Sequence, residues 1–317
     1  MRKILFVFIF AFLATVTFAQ QEQQYTQFMY NKLGYNPGYA GSHQNACLTG
    51  IIRSQWLGLE GAPNTQVLSF DMPIMNQRVG IGANITRNTI GISERITIDG
   101  IYSYRIRLAT GTLGLGVQTS IRYFENDFTD PALVSTVPMA LDGSIPAGAR
   151  SKYVPNFGAG AYFNNERFYI GLSLPRLITN NIDFNEAGII LSEEKIHGFL
   201  MAGYLFDINE NVGFKPQILM KYATHTPFDA DINASFIFSK KYTAGLTYRL
   251  GGSSQSAVGE SLDLMIGAQI SNNFLFGLSY DITLSEIKDY SNGSIEGVVR
   301  YCIGTSEGND IVNPRFF

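Results

Sequence analysis

The sequence predicts an all-β protein: a transmembrane antiparallel β-barrel of about fourteen strands, preceded by a periplasmic N-terminal segment. Only 15% of the 317 residues are charged, well below the roughly 25% of soluble domains. The mean hydropathy is nevertheless near zero, at +0.05, because apolar residues alternate with polar ones instead of forming long runs. This alternation recurs in segments of about ten residues, which is typical of strands that face lipid on one side.

The first 19 residues have the features of a secretory signal peptide. Arg2 and Lys3 form a positive start, 4–12 is apolar, and Ala19 ends a small-residue cleavage site before Gln20. A retained anchor is disfavoured, because the apolar run is shorter than the roughly 20 residues that a membrane helix needs. The residue directly after the cleavage site is Gln20 and not a cysteine, so a lipoprotein anchor is not expected. We therefore expect export, with the N-terminus of the mature chain in the periplasm.

Fourteen segments show the period-two pattern of strands. In the fifth, Leu115, Val117 and Ile121 share one face, while Gln118 and Ser120 share the other. The apolar face recurs on nearly every segment, as expected for a wall that faces lipid. In a soluble sandwich, the apolar faces of two sheets would instead pack together in one core. The predicted strands are 47–57, 64–72, 78–87, 94–107, 111–124, 152–163, 166–175, 194–207, 211–223, 228–239, 241–251, 258–272, 273–285 and 293–303.

The connections between these strands alternate in length. If the first strand rises from the periplasm, every connection after an even-numbered strand lies on the periplasmic side, and all of these are short. The long connections, 125–151 and 176–193, follow odd-numbered strands. Short periplasmic turns and longer outer loops are typical of outer-membrane barrels. The alternation thus supports a barrel over 47–303, located in the outer membrane and followed by a tail, 304–317.

The two cysteines lie at the two ends of the predicted barrel. Cys47 begins the first strand and Cys302 ends the last, and closing the barrel makes these strands neighbours. Both side chains share the parity of the polar face. One interpretation is a disulfide across the closing seam, which needs an oxidising compartment and Cα atoms within about 7 Å. The other is two buried free thiols, and the sequence leaves both open.

The inward faces carry charges of both signs, which favours ordinary packing and solvation over a selective lining for an anionic solute. These inward residues are Arg53, Gln55, Asp71, Arg95, Asp99, Arg105, Arg107, Arg122, Arg249, Asp263, Asp281, Glu296 and Arg300. The three histidines share no metal-ligand spacing, and neither a Walker loop nor a nucleophile motif occurs. No basic cluster points to nucleic acid. We expect no enzymatic activity, no metal and no cofactor.

Residues 20–46 match neither a strand nor a helix pattern. Five aromatic residues lie among turn formers between Tyr25 and Ser42. Pro37 holds the preceding Asn36 out of the helical region, so a fixed turn is expected there. Such aromatic density predicts burial, either as a plug that enters the lumen from below or as a cover on the periplasmic rim.

Four motifs lie within residues 24–65: QYTQFMYN (24–31), YNPGYAGS (35–42), RSQWLG (53–58) and GAPNT (61–65). Together with the terminal NPRFF, they resemble the PorP/SprF family of Bacteroidetes, outer-membrane proteins of the type IX secretion system. That machinery is also tied to gliding motility. The resemblance implies a non-enzymatic role in secretion or surface attachment of large adhesins. It implies partners among periplasmic or lipoprotein components of that system, a secreted adhesin, or both, in addition to the lipid bilayer.

The candidate partner-binding residues lie in this region: Tyr30, Asn36, Pro37, Tyr39, Arg53, Gln55 and Trp56. An interfacial anchor is an equally good interpretation of Trp56, the only tryptophan. For Arg53 and Gln55 the alternative is a lumen hydrogen-bond network that holds the N-terminal segment. The alternative function is an outer-membrane diffusion channel or small-solute transporter, because fourteen strands fall between filled eight-stranded barrels and open sixteen-stranded porins.

Overall fold

The computed structural model describes residues 22–130, 148–182, 184, 193–223, 229–251 and 259–303, so the predicted signal peptide and C-terminal tail lie outside it. One closed antiparallel sheet contains the strands β1 Ala46–Ser54, β2 Asn64–Ile74, β3 Val79–Ile90, β4 Ser93–Leu108, β5 Gly111–Asp127, β6 Ala149–Asn164, β7 Phe168–Leu174, β8 His197–Tyr204, β9 Phe206–Asn209, β10 Val212–Ala223, β11 Asp229–Phe238, β12 Tyr242–Leu250, β13 Ser261–Gln269, β14 Phe274–Thr283 and β15 Ser294–Ile303. Only Leu205 separates β8 from β9, and both pair with β10 as one wall strand. The wall therefore has 14 strands, which confirms the prediction.

Side chains alternate between the outer surface and the lumen, as the period of two predicts. On β5, Val117 and Ile121 are 56% and 57% exposed on the outside, whereas Gln118 and Ser120 are buried. A closed sheet pairs every backbone polar group within the wall, which a lipid environment requires. The apolar outer face then lies against lipid, and the polar side chains have to find partners inside the lumen.

The first and last strands close the barrel. β1 pairs with β15 in a continuous antiparallel register that places Cys47 opposite Cys302 and Arg53 opposite Glu296. The two cysteines are joined by a disulfide, with their Cα atoms 4.0 Å apart. Both are buried on the lumen side, next to the end of the barrel where the chain leaves β15.

The two ends of the barrel differ in their connections. At one end, the short-turn end, strands are joined by 75–78, 109–110, 165–167, 210–211, 239–241 and 270–273. The opposite end, the long-loop end, carries connections such as 55–63 and 284–293. Among the described residues, no helix is long and apolar enough to cross a membrane.

Residues 22–45, which we call the plug, run through the lumen from the long-loop end to the short-turn end. Glu22 contacts Arg176, just beyond β7 at the long-loop end, whereas His43 contacts Asp71 of β2 near the short-turn end. The sequence placed both the short turns and the start of the mature chain in the periplasm. In the structure Glu22, the first described residue, lies at the end of the lumen opposite the short turns.

The plug forms the core of the molecule. Its regular elements are a 3-10 turn at Phe28–Tyr30, a short helix α1 at Lys32–Tyr35 and a second 3-10 turn at Pro37–Tyr39. Aromatic and aliphatic side chains from the plug pack against inward side chains of β6, β7 and β8, among them Tyr162 and Met201. A barrel of this size therefore has a packed interior along the plug.

Candidate functional site

The plug is buried along most of its length. Its buried side chains are Tyr25, Thr26, Gln27, Phe28, Met29, Asn31, Lys32, Leu33, Tyr35, Asn36, Pro37, Tyr39 and His43. Tyr39 packs edge-on against Tyr162 of β6, with ring centroids 5.2 Å apart. The plug and the lumen wall thus form one interface, and this interface is the candidate functional site.

One side of the lumen, formed by β3, β5, β6 and β7, presents glycines to the plug. We call this surface the glycine wall: Gly80, Gly114, Gly116, Gly160 and Gly171. A Cβ atom at Gly80 would overlap the carbonyl group of Ala40, and one at Gly116 would overlap Pro37. The plug backbone therefore lies directly on the backbone of the wall, an approach that only glycine permits.

Asn36 fixes the predicted turn and joins it to the wall. Its Oδ1 accepts a hydrogen bond from the N–H of Gly38 (2.8 Å), and its Nδ2 donates to the carbonyl of Ala161 (3.0 Å). The backbone of Asn36 is extended, with φ −142°, as expected for a residue before proline. The Ser103 hydroxyl donates to the Gly38 carbonyl at 3.2 Å. This turn is thereby bonded to both β4 and β6.

The other side of the lumen, formed by β1 and β10 to β15, presents buried charges. We call this surface the charged wall: Arg53, Lys221, Asp229, Asp231, Arg249, Asp263, Asp281 and Glu296. Arg53 pairs with Asp281 at 2.7 Å and with Glu296 at 3.2 Å, and Arg249 pairs with Asp231 at 2.9 Å. Charges taken out of water are tolerated only where the partners and hydrogen bonds around them are complete.

The plug joins this network at Thr26 and Gln27. Their backbone N–H groups donate to the Glu296 carboxylate at 3.0 and 2.8 Å. The Thr26 hydroxyl donates to Asp281 at 2.6 Å and accepts from Arg53 Nη1 at 2.8 Å. Arg53 is 1% exposed and Glu296 is 0% exposed, so bulk solvent does not reach either group. Each side of the interface satisfies buried polar groups of the other.

An ion pair holds the plug at one end, and a histidine–carboxylate contact holds it at the other. At the long-loop end, Glu22 lies 2.6 Å from Arg176. Burial alone would raise the pKa of Glu22, but the positive charges of Arg176 and Arg122 outweigh burial and lower it to about 2. At the short-turn end, His43 Nδ1 lies 3.1 Å from the Asp71 carboxylate.

Five of the seven predicted site residues belong to the plug–wall interface: Tyr30, Asn36, Pro37, Tyr39 and Arg53. Gln55 and Trp56 lie instead in the connection between β1 and β2 at the long-loop end, where both are half-buried. The backbone N–H of Trp56 donates to the Ser294 hydroxyl at 3.1 Å. The 55–56 position is therefore accessible on the assembled protein, whereas Asn36, Pro37, Tyr39 and Arg53 are buried between the plug and the wall.

Sequence reasoning missed Thr26, Gln27 and the glycine wall. A signal existed for the glycines, because they occupy inward positions of their strands where most other strands carry polar side chains. The prediction for Arg107 was wrong: the sequence placed its side chain in the lumen. In the structure it is exposed at the short-turn end, where it donates to the Asn76 carbonyl. Among the described residues, no group of three or more His, Cys, Asp or Glu is placed to hold a metal ion.

A closed antiparallel barrel with an apolar exterior and a polar interior defines an outer-membrane β-barrel protein, here with its lumen occupied by its own N-terminal segment. Residues 17–301 match the family of type IX secretion system membrane proteins PorP/SprF. The chain belongs to that family. This match confirms the resemblance that the motifs in residues 24–65 indicated.

Similar solved structures are outer-membrane barrels. The CymD monoaromatic hydrocarbon channel superposes with a TM-score of 0.55 and 12% identity, over 87% of this chain and 93% of that one. The Ralstonia pickettii toluene transporter TbuX gives 0.49 and 10%, over 86% and 92%. Acinetobacter baumannii Omp33 gives 0.47 and 9%, over 82% and 98%. At sequence identities this low, the similarity to these structures shows only that the folds are alike. No curated protein matches the sequence significantly.

Proposed function

We propose that this protein is a non-enzymatic component of the type IX secretion system, which supports secretion or surface attachment of large adhesins of the gliding-motility kind. It acts by binding secretion components on its periplasmic side and an adhesin or surface component on its outer side. The observation that carries the proposal is the buried plug. A lumen filled by the protein's own chain presents two end surfaces to partners, and family membership supplies the secretion context.

The short-turn end faces the periplasm in this proposal, as short turns do in outer-membrane barrels. The plug then begins at the cell surface, where Glu22 and Arg176 lie, and descends to the periplasmic end at His43. Signal-peptide cleavage would therefore leave the mature N-terminus near the outer surface. A surface partner would meet it together with the connections that contain Gln55 and Trp56.

The orientation is tested with a membrane-impermeant maleimide on intact cells. Gln23→Cys places a thiol at the long-loop end, and Met75→Cys places one in a short turn where Met75 is 72% exposed. We expect Gln23→Cys to be labelled on intact cells and Met75→Cys only after the outer membrane is permeabilised. The opposite pattern would reverse the orientation and with it the assignment of partners to the two ends.

The partner assignment is tested by gentle detergent extraction from native outer membrane, followed by mass spectrometry. An epitope beside Tyr290, which is 74% exposed in the connection after β14, leaves the plug and both chain ends intact. Secretion components or a large adhesin in stoichiometric amounts are expected. A barrel that purifies alone under conditions that preserve other outer-membrane complexes would count against the assembly role.

A diffusion channel remains the competing function, and conductance in planar bilayers separates the two. The buried plug predicts little conductance for the intact protein. Deletion of residues 22–42 is expected to raise conductance and to abolish secretion in cells if the plug serves assembly. A channel would instead conduct with the plug in place, and secretion of adhesins would not respond to the deletion.

A further inference from the structure

Two exposed arginines flank the turn between β2 and β3 at the short-turn end. Arg78 ends this turn, and Arg107 of β4 donates across it from Nη2 to the Asn76 carbonyl at 2.9 Å. The backbone N–H of Arg105 donates to the Arg78 carbonyl at 2.8 Å, which holds β4 against the turn. Both guanidinium groups therefore belong to one surface. We call it the arginine rim, and it consists of Met75, Arg78 and Arg107.

Neither arginine of this rim forms an ion pair within the part of the chain that the structure describes. Exposed arginines elsewhere on the barrel do have acidic partners. Arg87 pairs with Glu94 at 2.5 Å, and Arg167 pairs with Asp207 at 2.7 Å. The positive charge of the arginine rim is therefore available to a separate molecule.

The charges of the short-turn end are divided between two halves of the barrel. In the half that runs from β11 through the seam to β5, every exposed charged side chain that the structure describes at this end is a cation. The half from β6 to β10 carries three exposed carboxylates and one arginine: Glu166, Asp207, Glu210 and Arg167. An acidic partner is attracted by the first half and repelled by the second, which favours one binding orientation.

The turn of the arginine rim has a backbone conformation that its residues seldom adopt. Met75, Asn76 and Gln77 are all left-handed, with φ of 50°, 55° and 63°. Of these three residue types, only asparagine adopts positive φ readily. Met75 is 72% exposed as a result, beside the two arginines. Methionine and arginine are both enriched in protein interfaces, and backbone strain clusters at binding sites.

The arginine rim lies on the lumen side of the wall, away from the surrounding lipid. On β4, Tyr104 and Leu108 are on the outer face, where they are 50% and 48% exposed. Arg105 and Arg107 belong to the opposite face of the same strand, and Arg105 donates to the Ser42 hydroxyl of the plug at 2.9 Å. This position favours a protein partner at the mouth of the lumen over the headgroups of the membrane.

We infer that the arginine rim is a docking surface for an acidic segment of a periplasmic secretion component. Asp or Glu side chains of that segment accept charge-assisted hydrogen bonds from Arg78 and Arg107, and a neighbouring apolar side chain packs on Met75. The inference rests on the proposed function, which places the short-turn end in the periplasm. It adds to that function the chemistry of the partner and the surface that receives it.

The first test is the recovery of the component with the barrel after gentle extraction from native outer membrane. Arg78→Glu combined with Arg107→Glu turns two attractive contacts into repulsive ones. We expect the amount of secretion component per barrel, measured by quantitative mass spectrometry, to fall about tenfold or more. In the wild type, recovery should also fall as the salt concentration of the extraction buffer rises.

The matched control is Arg167→Glu combined with Lys288→Glu. It changes the net charge by the same amount, but Arg167 lies in the other half of the short-turn end and Lys288 lies at the long-loop end. Recovery should stay within about twofold of the wild type. Both double variants alter exposed side chains only, so each should reach the outer membrane in ordinary amounts with the seam disulfide formed.

The second test detects the contact directly. Arg78→Lys combined with Arg107→Lys keeps the positive charge and introduces two amines at the rim. A carbodiimide joins an amine to a carboxylate that touches it, without a spacer. We expect both introduced amines to be joined to Asp or Glu side chains of the same secretion component, as read from the cross-linked peptides. Lys288, at the opposite end of the barrel, should give no product with that component.

The outcomes separate this docking surface from the secretion role. Undiminished recovery with the charge-reversed rim, or equal losses in both double variants, would overturn the docking surface and leave the secretion role standing. A wild-type barrel that purifies alone would remove both. Loss of anionic phospholipid with the component retained would assign the rim to the membrane instead. Cross-links at Lys240 and Lys241 but at neither introduced amine would place the partner elsewhere on the short-turn end.

Discussion

The plug meets the glycine wall through close backbone packing and the charged wall through ion pairs and hydrogen bonds. On the glycine wall, Gly80 and Gly116 leave no space for a Cβ atom against the plug. On the charged wall, Arg53 and Glu296 are buried and depend on Thr26 of the plug for part of their hydrogen bonding. The first surface is therefore sensitive to added atoms, and the second is sensitive to removed ones.

The glycine wall therefore sets the position of the plug, and the charged wall sets how strongly the plug is bound. A glycine surface carries no side-chain donors, so it mainly sets how deeply the plug sits and which backbone groups meet. The charged wall supplies specific bonds, and removing any one partner leaves another buried charge without compensation. Variants on the two walls are expected to fail for different reasons.

The largest effect is expected from Arg53→Ala. It leaves Glu296 buried without its cation and Asp281 with only the more distant Arg249, 3.8 Å away. Breaking a buried pair in this way typically costs about 3–5 kcal/mol. The free energy of unfolding in detergent is the measurement, and in cells we expect weaker secretion with the protein still in the membrane. The matched control is Arg87→Ala, which breaks an exposed pair with Glu94 worth at most about 1 kcal/mol. Equal losses in the two variants, or normal secretion with Arg53→Ala, would contradict the importance of the charged wall.

The seam disulfide, on the charged-wall side, is expected to contribute about 2–4 kcal/mol. Cys47→Ala combined with Cys302→Ala should lower the unfolding temperature of the barrel. Reductant should lower it in the wild type but not in the double variant, which serves as the control. Alkylation before reduction should modify no thiol, as read by intact mass. Two alkylated thiols in the untreated protein would show that the seam is held by its backbone ladder alone.

Acid is expected to release the long-loop end of the plug. The pKa of Glu22 is lowered from 4.5 to about 2 in the folded protein, so its stabilising contribution is complete above pH 4.5 and is lost as the pH falls toward 2. A shift of this size corresponds to at most about 3 kcal/mol. The measurement is the difference in unfolding free energy between the wild type and Glu22→Gln at each pH. A difference that stays constant from pH 6 to pH 2.5 would be incompatible with this anchor.

The smallest effect is expected from Gly80→Ala, which adds one methyl group where the carbonyl of Ala40 lies. Overpacking of this kind usually costs about 1–3 kcal/mol. Gly50→Ala is the control, because its Cβ would meet no atom within 4 Å and alanine is preferred to glycine in a strand. The readouts are unfolding free energy and conductance, since a displaced plug should open the lumen. Equal stability of the two variants would mean that the plug moves freely against the glycine wall.

Much of the fold was predictable because the barrel pattern is local. Each strand segment shows its lipid face through alternation, so Val117 and Gln118 could be assigned to opposite faces without knowing any neighbour. Closure also follows from counting, since the first and last strands of a barrel must pair, and this placed Cys47 beside Cys302. The disulfide and the free thiols remained alternatives, because strand register depends on every turn between them.

The sequence predicted that the plug is buried, but it did not predict the course that the plug follows through the lumen. Its aromatic residues and the Asn36-Pro37 turn predicted burial and a fixed bend. They did not reveal that Glu22 lies at the long-loop end, because a chain without helical or strand periodicity has no direction relative to the barrel. That direction comes from Arg176 and Asp71, which are more than 100 residues apart in the sequence and mark the two ends of the lumen.

The sequence by itself determined the class of fold, the strand count, the lipid face and the polarity of the lumen, because these depend on composition and on a period of two. Only the tertiary structure decided what fills the lumen and which buried groups meet there. The glycine wall and the contacts of Thr26 with Arg53 and Asp281 each join residues from distant parts of the chain. Their meeting is fixed by barrel closure and plug position, which are properties of the whole chain and not of any segment.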